Sequence, residues 1–243
     1  MKHLTTISYG GGVQTVALTL LALQGRVARP DVVLFADTGG EREATYAYNA
    51  VVAERCRRAG LEWARCAAPE SLSDALAAHK AVIPFYGNRG GMLPRVCTER
   101  WKIRVIRRAL RKRGATSATV MLGISRDEIH RMKNADAQWT TNVFPLIDLG
   151  LARRDCERVI DAARLPQPPK SACVYCPYRS AEGWVALRRD DPDGFRKAVE
   201  VERIFPGLYL HASRTPLPML TEDTSHNGDL FDEDGCTAGH CFV

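Results

Sequence analysis

The sequence predicts an α/β fold: a parallel sheet with helices on both faces, followed by a mostly helical, cysteine-bearing C-terminal part. Three observations predict it. Short apolar runs of strand length alternate with long amphipathic stretches through residues 1–150. The run Val32-Val33-Leu34-Phe35-Ala36 shows no polar alternation, as a strand covered on both faces requires. Gly10-Gly11-Gly12 separates the first apolar run from the first amphipathic one, which marks a tight strand-to-helix turn.

In chain order, Leu4 to Ile7 reads as a short buried strand and Val13 to Leu23 as a helix. Glycines between them let several N–H groups approach an anion, and the helix dipole points its positive end at the same place. Ser8 and Thr15 add hydroxyls on either side. A ligand-free turn is the alternative. The Rossmann G-x-G-x-x-G spacing is absent, and no Gly-Lys-Ser/Thr follows as a Walker loop requires.

The second strand ends in Asp37-Thr38-Gly39-Gly40, on the edge where open α/β sheets bind ligands, although an N-cap for a helix over 41–59 would use the same residues. Glu62 to Cys66 is read as a third strand and Ser71 to His79 as a helix, with Cys56 and Cys66 as ordinary buried thiols. Residues 84–94, rich in glycine, form either a lid or a plain surface connection.

Cys97 opens a helix amid cations, Lys102 among them, so a lowered thiol pKa is expected, suiting a metal-bound thiolate or a nucleophile. Thr119 to Leu122 is the next strand. Behind it, Gly123 leads into Arg126, His130, Arg131 and Lys133, which read as an oxyanion clamp or as a solvated helix face. Cys156, on a helix over 153–164, reads as core. Helices over 181–189 and 192–204 follow, then His211 as a packed surface histidine and an acidic, flexible stretch over 221–234.

Cys173-Val174-Tyr175-Cys176-Pro177 can chelate one metal centre. The tail adds Cys236, His240 and Cys241, and ligation would hold down a segment with few apolar residues. Two partitions stay open: Cys173, Cys176, Cys236 and Cys241 as a closed four-thiolate site, or Cys97, Cys173 and Cys176 with one tail cysteine. Zinc and [4Fe–4S] both suit the donor set.

The composition bounds the rest. With 243 residues, 45% hydrophobic and 26% charged, the chain can bury a core, arranged here as an α/β domain over 1–150 and a helical region over 151–243. No run of eighteen apolar residues and no leader pattern is present, so a cytoplasmic protein without a membrane partner is expected. Eight cysteines without an export signal point to metal or redox chemistry rather than disulfides. A net charge of +6 is compatible with a polyanion such as tRNA or DNA, and a nucleotide site accounts for part of it.

The glycine run resembles the pyrophosphate loop S-G-G-x-D-S of the adenine nucleotide alpha-hydrolase superfamily, and in particular its phosphoadenosine phosphosulfate reductase-like members. Gly11-Gly12 take the glycine pair and Thr15 the final hydroxyl, while Gly10 stands at the first serine and Gln14 at the aspartate. Asp37-Thr38-Gly39 followed by Glu43, Thr45 and Tyr46, the Gly123-to-Arg131 segment, and Pro145-Leu146 also resemble family segments. The Glu-Cys-Gly motif of the reductases is absent.

The resemblance implies a Rossmann-like sheet of the alpha-hydrolase type. It implies an adenine nucleotide, ATP or another, held by Ser8, Gly10, Gly11, Gly12, Gln14, Thr15, Asp37, Thr38, Gly39, Lys102 and Gly123, with magnesium where the chemistry needs it. Arg126, Arg131 and Cys236 fall in catalytic positions, and Cys97, Cys173, Cys176 and Cys241, with Cys236 as the alternative ligand, in cluster positions. Two chemistries share the scaffold: reductive cleavage of a sulfonucleotide by a cysteine thiolate, and ATP-dependent activation followed by sulfur insertion. A thiol reductant protein or a sulfur donor is the corresponding partner. A binding module with a structural zinc is the reading of another class.

Overall fold

In the computed structural model, which describes residues 1–80 and 82–227, five parallel strands form one sheet in the order β3-β2-β1-β5-β6. They are β1 (His3–Tyr9), β2 (Val32–Asp37), β3 (Glu62–Ala67), β5 (Ser117–Leu122) and β6 (Thr140–Val143). A separate two-stranded antiparallel piece pairs β4 (Tyr86–Gly87) with β7 (Leu208–Tyr209). The chain reverses its strand order between β1 and β5, and a sheet of this kind opens its ligand crevice at such a point.

Alternation along each strand divides the core. Ile7, Tyr9, Val33, Phe35 and Met121 pack against α1 (Val13–Leu23), α2 (Glu43–Arg58) and α7 (Arg153–Ala162). Leu4, Val32, Leu34, Val120 and Leu122 face α5 (Arg104–Lys112) on the other side. Successive strand residues point to opposite faces, so unbroken apolar runs are what two covered faces demand.

A third cluster joins Leu72 and Leu76 of α3 (Leu72–Ala77), Phe85 and Trp101 to Trp184 of α8 (Ala181–Asp190) and Ala198 of α9 (Pro192–Ile204). Two clusters thus combine residues from both sides of position 150. Cys156 and Ile160 complete the α1 layer, and α8 and α9 cover an apolar surface offered by the first half of the chain.

Several elements differ from the sequence reading for physical reasons. The strand β6, Thr-Thr-Asn-Val, is too short and polar to stand out, and forms because β5 offers it an edge. Residues 84–94 are tied to the C-terminal half: Tyr86–Gly87 pairs with β7, and Arg214 Nε donates to the Gly87 carbonyl at 2.9 Å. The plain connection therefore describes this loop better than a lid. His211 is buried rather than on the surface, with Nδ1 2.8 Å from Ser213 Oγ. The helix carrying Cys97 is built of three parts: α4 (Val96–Thr98), a π-helical stretch Glu99–Ile103, and α5.

Candidate functional site at the C-terminal sheet edge

The glycine turn takes the geometry its composition allows. Gly11 has φ +78°, and Gly12 starts α1 with no side chain capping the helix. Thr15 Oγ1 donates to the Gly12 carbonyl at 3.1 Å and accepts from Gly10 N–H at 3.3 Å, closing the loop on itself. The first turn contains no acidic residue, and Gln14 is buried. Amide groups at an uncapped helix start make an anion site by dipole and donor direction together.

Gly123, which the family pattern puts at the nucleotide, packs closely against the start of α1. A Cβ there would lie 2.6 Å from Thr15 Cγ2 and 2.9 Å from the Thr15 backbone nitrogen. Its missing side chain is what lets the first turn of α1 sit against the end of β5.

At the end of β2, Asp37 is 2% exposed. Its Oδ1 accepts from Gly39 N–H and from the Tyr46 hydroxyl, each at 2.8 Å, and its Oδ2 is paired with Arg65. The carboxylate shapes its own loop. Desolvation and the bond to Asp37 together push the Tyr46 phenol up. Thr38 is also buried, and its Oγ1 lies 3.2 Å from Cys173 Sγ.

The Cys-x-x-Cys segment crosses over both loops. A Cβ on Gly12 would lie 2.7 Å from Ser171 Oγ, Val174 N–H donates to the Gly40 carbonyl at 2.8 Å, and the Tyr175 hydroxyl meets Ser73 Oγ at 2.8 Å. Gly40 is required because any Cβ would fall 1.9 Å from that hydroxyl.

Two cavities open along this edge. One, of about 260 Å³, lies at the β1/β5 crossover and is lined by Ser8, Leu122, Lys133 and Asn142 together with Thr98 and Lys102. The other, of about 40 Å³, gathers Cys97, Cys173 and Cys176 with Thr38 and Arg95, and again Thr98 and Lys102. Lys102 and Thr98 form the shared wall.

Charge around the thiols is mixed. Burial pushes Cys97 up, and Arg95 and Lys102 offset only part of that, so the lowered pKa expected at this helix start is reversed. Burial first, then Glu41, raise Cys173 well above its usual range, opposed by Lys102 and the Thr38 hydroxyl. Burial alone would lower Lys102, yet Glu41 and Cys173 hold it above its ordinary value, so it stays a cation. Glu41 and Thr98 are site residues the sequence reading missed, since neither carries a motif; only the structure brings Glu41 within 3.6 Å of Cys173 Sγ.

The basic segment after β5 divides. Arg126 is exposed, with its N–H donating to the Leu151 carbonyl at 2.7 Å. Arg131, expected at an open clamp, is instead 4% exposed and pairs its Nη1 with Glu128 Oε1 at 2.7 Å, and its Nε and Nη2 have no hydrogen-bond partner among the described residues. Neither arginine lines either cavity, whereas Lys133 lines the larger one.

For a metal, the donor chemistry fits: three thiols line one cavity beside cationic side chains. Among the described residues no three His, Cys, Asp or Glu side chains are arranged to hold an ion. Cys236, His240 and Cys241 lie outside the described residues. No helix among those residues is long and apolar enough to cross a membrane.

Residues 5–155 match the family model of the phosphoadenosine phosphosulfate reductase domain, more than half of the chain. Among solved structures, a phosphoadenylyl-sulfate (PAPS) reductase from Candida auris, in a phosphate complex, is similar at 14% identity and a TM-score of 0.45, over 69% of this chain and 75% of that one. No curated protein matches.

Proposed function

Because the chain belongs to the phosphoadenosine phosphosulfate reductase domain family, we propose that it is an enzyme of sulfur chemistry on an adenine nucleotide, bound across the C-terminal edge of the sheet. The observation that carries this is the shared wall: Lys102 and Thr98 line both the crossover cavity and the cysteine cavity. The nucleoside occupies the larger cavity beside Ser8, and its anionic end lies at Gly10, Gly11, Gly12, Gln14 and Thr15. Lys102 faces that anion from the cysteine side. Thr38 and Gly39 shape the adjoining loop, and Asp37 and Gly123 support the site from behind.

Reductive cleavage of a sulfonucleotide is favoured over ATP-dependent sulfur insertion. With no acidic residue in the first turn of α1 and Gln14 buried there, the loop offers no carboxylate to a magnesium-bound pyrophosphate. In this reading a cysteine thiolate, Cys236 by the family pattern, attacks the sulfuryl sulfur. The sulfur–oxygen bond to phosphate breaks, and the nucleotide leaves with the electron pair. A thiol reductant protein then takes the enzyme-bound sulfonate off as sulfite, and is left with the enzyme in a disulfide. Preorganised N–H groups and Lys102 would stabilise charge on the departing phosphate. By the family pattern Arg126 and Arg131 would belong to the catalytic set, and Arg131 has two donors without partners among the described residues.

Cys97, Cys173 and Cys176 would hold a [4Fe–4S] cluster or a zinc ion, with Cys241 or Cys236 as fourth ligand. Bound there, such a centre would be held by thiolates alone and would tie the cysteine cavity to the tail cysteine that completes it.

The test is calorimetric titration with adenosine 5′-phosphosulfate, its 3′-phosphorylated form and ATP, followed by an assay for sulfite with a dithiol reductant. Tight binding of a sulfonucleotide with sulfite release supports the reading. ATP binding with pyrophosphate release and no sulfite moves the protein to the thiolation chemistry, for which a net charge of +6 leaves room for tRNA or DNA. Nucleotide binding with neither product would leave a binding module with a structural metal.

A further inference from the structure

The face of α2 above the glycine loop carries two polar residues that find no hydrogen-bond partner among the described residues. Thr45 and Asn49 are 0% and 3% exposed, and Thr45 Oγ1, Asn49 Oδ1 and Asn49 Nδ2 all lack hydrogen-bond partners. They sit four residues apart, on one face of the helix. Val52 and Cys56 continue the same buried stripe with apolar groups, so the packing itself does not call for polarity. A buried amide with neither end bonded carries its full desolvation penalty.

Both side chains approach Gly11, Asn49 with its amide and Thr45 with its methyl, so a rotation about the Thr45 Cα–Cβ bond is needed to bring its hydroxyl to the loop. A Cβ there would lie 3.1 Å from Asn49 Oδ1, 3.7 Å from Asn49 Nδ2 and 3.2 Å from Thr45 Cγ2. With no Cβ at Gly11, α2 packs directly on the loop, and these two side chains take up the room a methyl would need. The amide lies with its oxygen nearest the loop, and since neither end is bonded, turning it over to present Nδ2 breaks no hydrogen bond.

We infer that Asn49 and Thr45 form a third wall of the anion site, donating from Nδ2 and Oγ1 to the oxyanion held at Gly11, Gly12 and the first turn of α1. The ligand class is a pair of linked tetrahedral oxyanions, as in a diphosphate or phosphosulfate. This rests on the reading of the glycine loop as the place of the nucleotide's anion. It adds a contact from a helix outside the loop, made by neutral donors that select for shape and proton acceptors rather than for charge.

Inorganic pyrophosphate, titrated calorimetrically into the full chain and into Asn49→Leu, Asn49→Asp and Thr45→Val, tests it. The expected result is at least about tenfold weaker binding for both Asn49 variants and about threefold for Thr45→Val, with the ligand-free thermal midpoint of Asn49→Leu no lower than the parent's. Should Asn49→Leu not fold, Asn49→Asp and Thr45→Val carry the same test. Parent-like affinity in the Asn49 and Thr45 variants overturns the inference and leaves the loop site standing. A fall in affinity matched by a fall in the ligand-free midpoint also overturns it, since the pair then serves the fold through bound water. A parent that does not bind pyrophosphate removes both the inference and the loop reading.

Discussion

The hydroxyl of Thr38 lies 3.2 Å from the sulfur of Cys173, across 135 residues of sequence. The same oxygen accepts from Gly40 N–H at 3.3 Å and lies 3.4 Å from Glu41 Oε1. A hydroxyl has one proton to give, so its donation to Glu41 and to Cys173 are alternatives. This one group joins the end of β2 to the Cys-x-x-Cys segment, and so joins the nucleotide edge to the thiols.

Replacing Thr38 with Val keeps the shape and removes the join. Gly40 N–H loses its acceptor in a buried position, which costs about 1–3 kcal/mol. Urea unfolding should show that loss, and thiol alkylation should reach Cys173 faster in Thr38→Val than in the parent or in Thr38→Ser. Parent-like rates in Thr38→Val would mean that the Val174 bond to the Gly40 carbonyl and the Tyr175 bond to Ser73 hold the segment without Thr38.

Gly123→Ala should separate a steric role from a binding one. The new Cβ meets the Thr15 backbone at 2.9 Å, and backbone cannot move aside as a side chain does. Overpacking of this kind costs about 1–3 kcal/mol. The first turn of α1 shifts, so pyrophosphate affinity should fall by more than the stability loss alone would suggest. An unaltered affinity would show that the loop tolerates displacement from β5.

Lys102→Met removes the cation from the shared wall while keeping much of its length. Glu41 and Cys173 then face each other without their positive neighbour. Buried Glu41 loses its cationic neighbour, so stability should fall as well. Nucleotide affinity should drop by about ten- to a hundredfold on titration, with Lys102→Arg retaining most of it. Equal affinities for parent and Lys102→Met would place the anion away from this wall.

The sheet was legible in the sequence where burial is symmetrical. Val32 to Ala36 announced a strand covered on both faces, and Val13 to Leu23 ends where its periodicity ends. The glycine loop and the Cys-x-x-Cys pair carried local signatures of their own. What stayed hidden depends on partners distant in sequence. Gly123 reads as a nucleotide-loop glycine, and its packing on Thr15 shows only in the fold; Arg131 reads as an arm of an oxyanion clamp or part of a solvated face, and its burial beside Glu128 is equally invisible. Asn49 had one available signal: a polar residue on the stripe Thr45, Val52 and Cys56, where an amphipathic helix would put an apolar one.

Stability should fall on the alkaline side through two thiols remote from the site. Burial pushes Cys56 from 9.0 to about 11 and Cys156 from 9.0 to about 12. Between those limits the folded chain keeps protons that the unfolded chain has released, so stability decreases as pH rises, by up to about 1.4 kcal/mol per pH unit for each thiol. The slope sets in about one pH unit below 9 and vanishes at lower pH. Urea midpoints taken from pH 8 to 11 should stay level and then decline, and Cys156→Val should decline less steeply than the parent whatever its starting stability. Identical slopes would mean that the thiols titrate alike in both states.

The cysteine cavity makes a sharper forecast about metal. Cys97, Cys173 and Cys176 share one small space with Lys102 and Arg95, whereas buried Cys56 and Cys156 belong to the α1 layer and Cys66 to the β3 edge. Anaerobically purified parent should carry about four irons with a brown absorption, or a single colourless zinc. Cys97→Ala, Cys173→Ala and Cys176→Ala should each lose it, while Cys56→Ala and Cys66→Ala retain it. Full metal content in Cys97→Ala would select the closed set of Cys173, Cys176, Cys236 and Cys241, and Cys97 would then be a buried thiol facing the nucleotide side. If Cys97→Ala loses the metal and only one of Cys236→Ala and Cys241→Ala does, the other tail cysteine is free to act as the attacking thiolate.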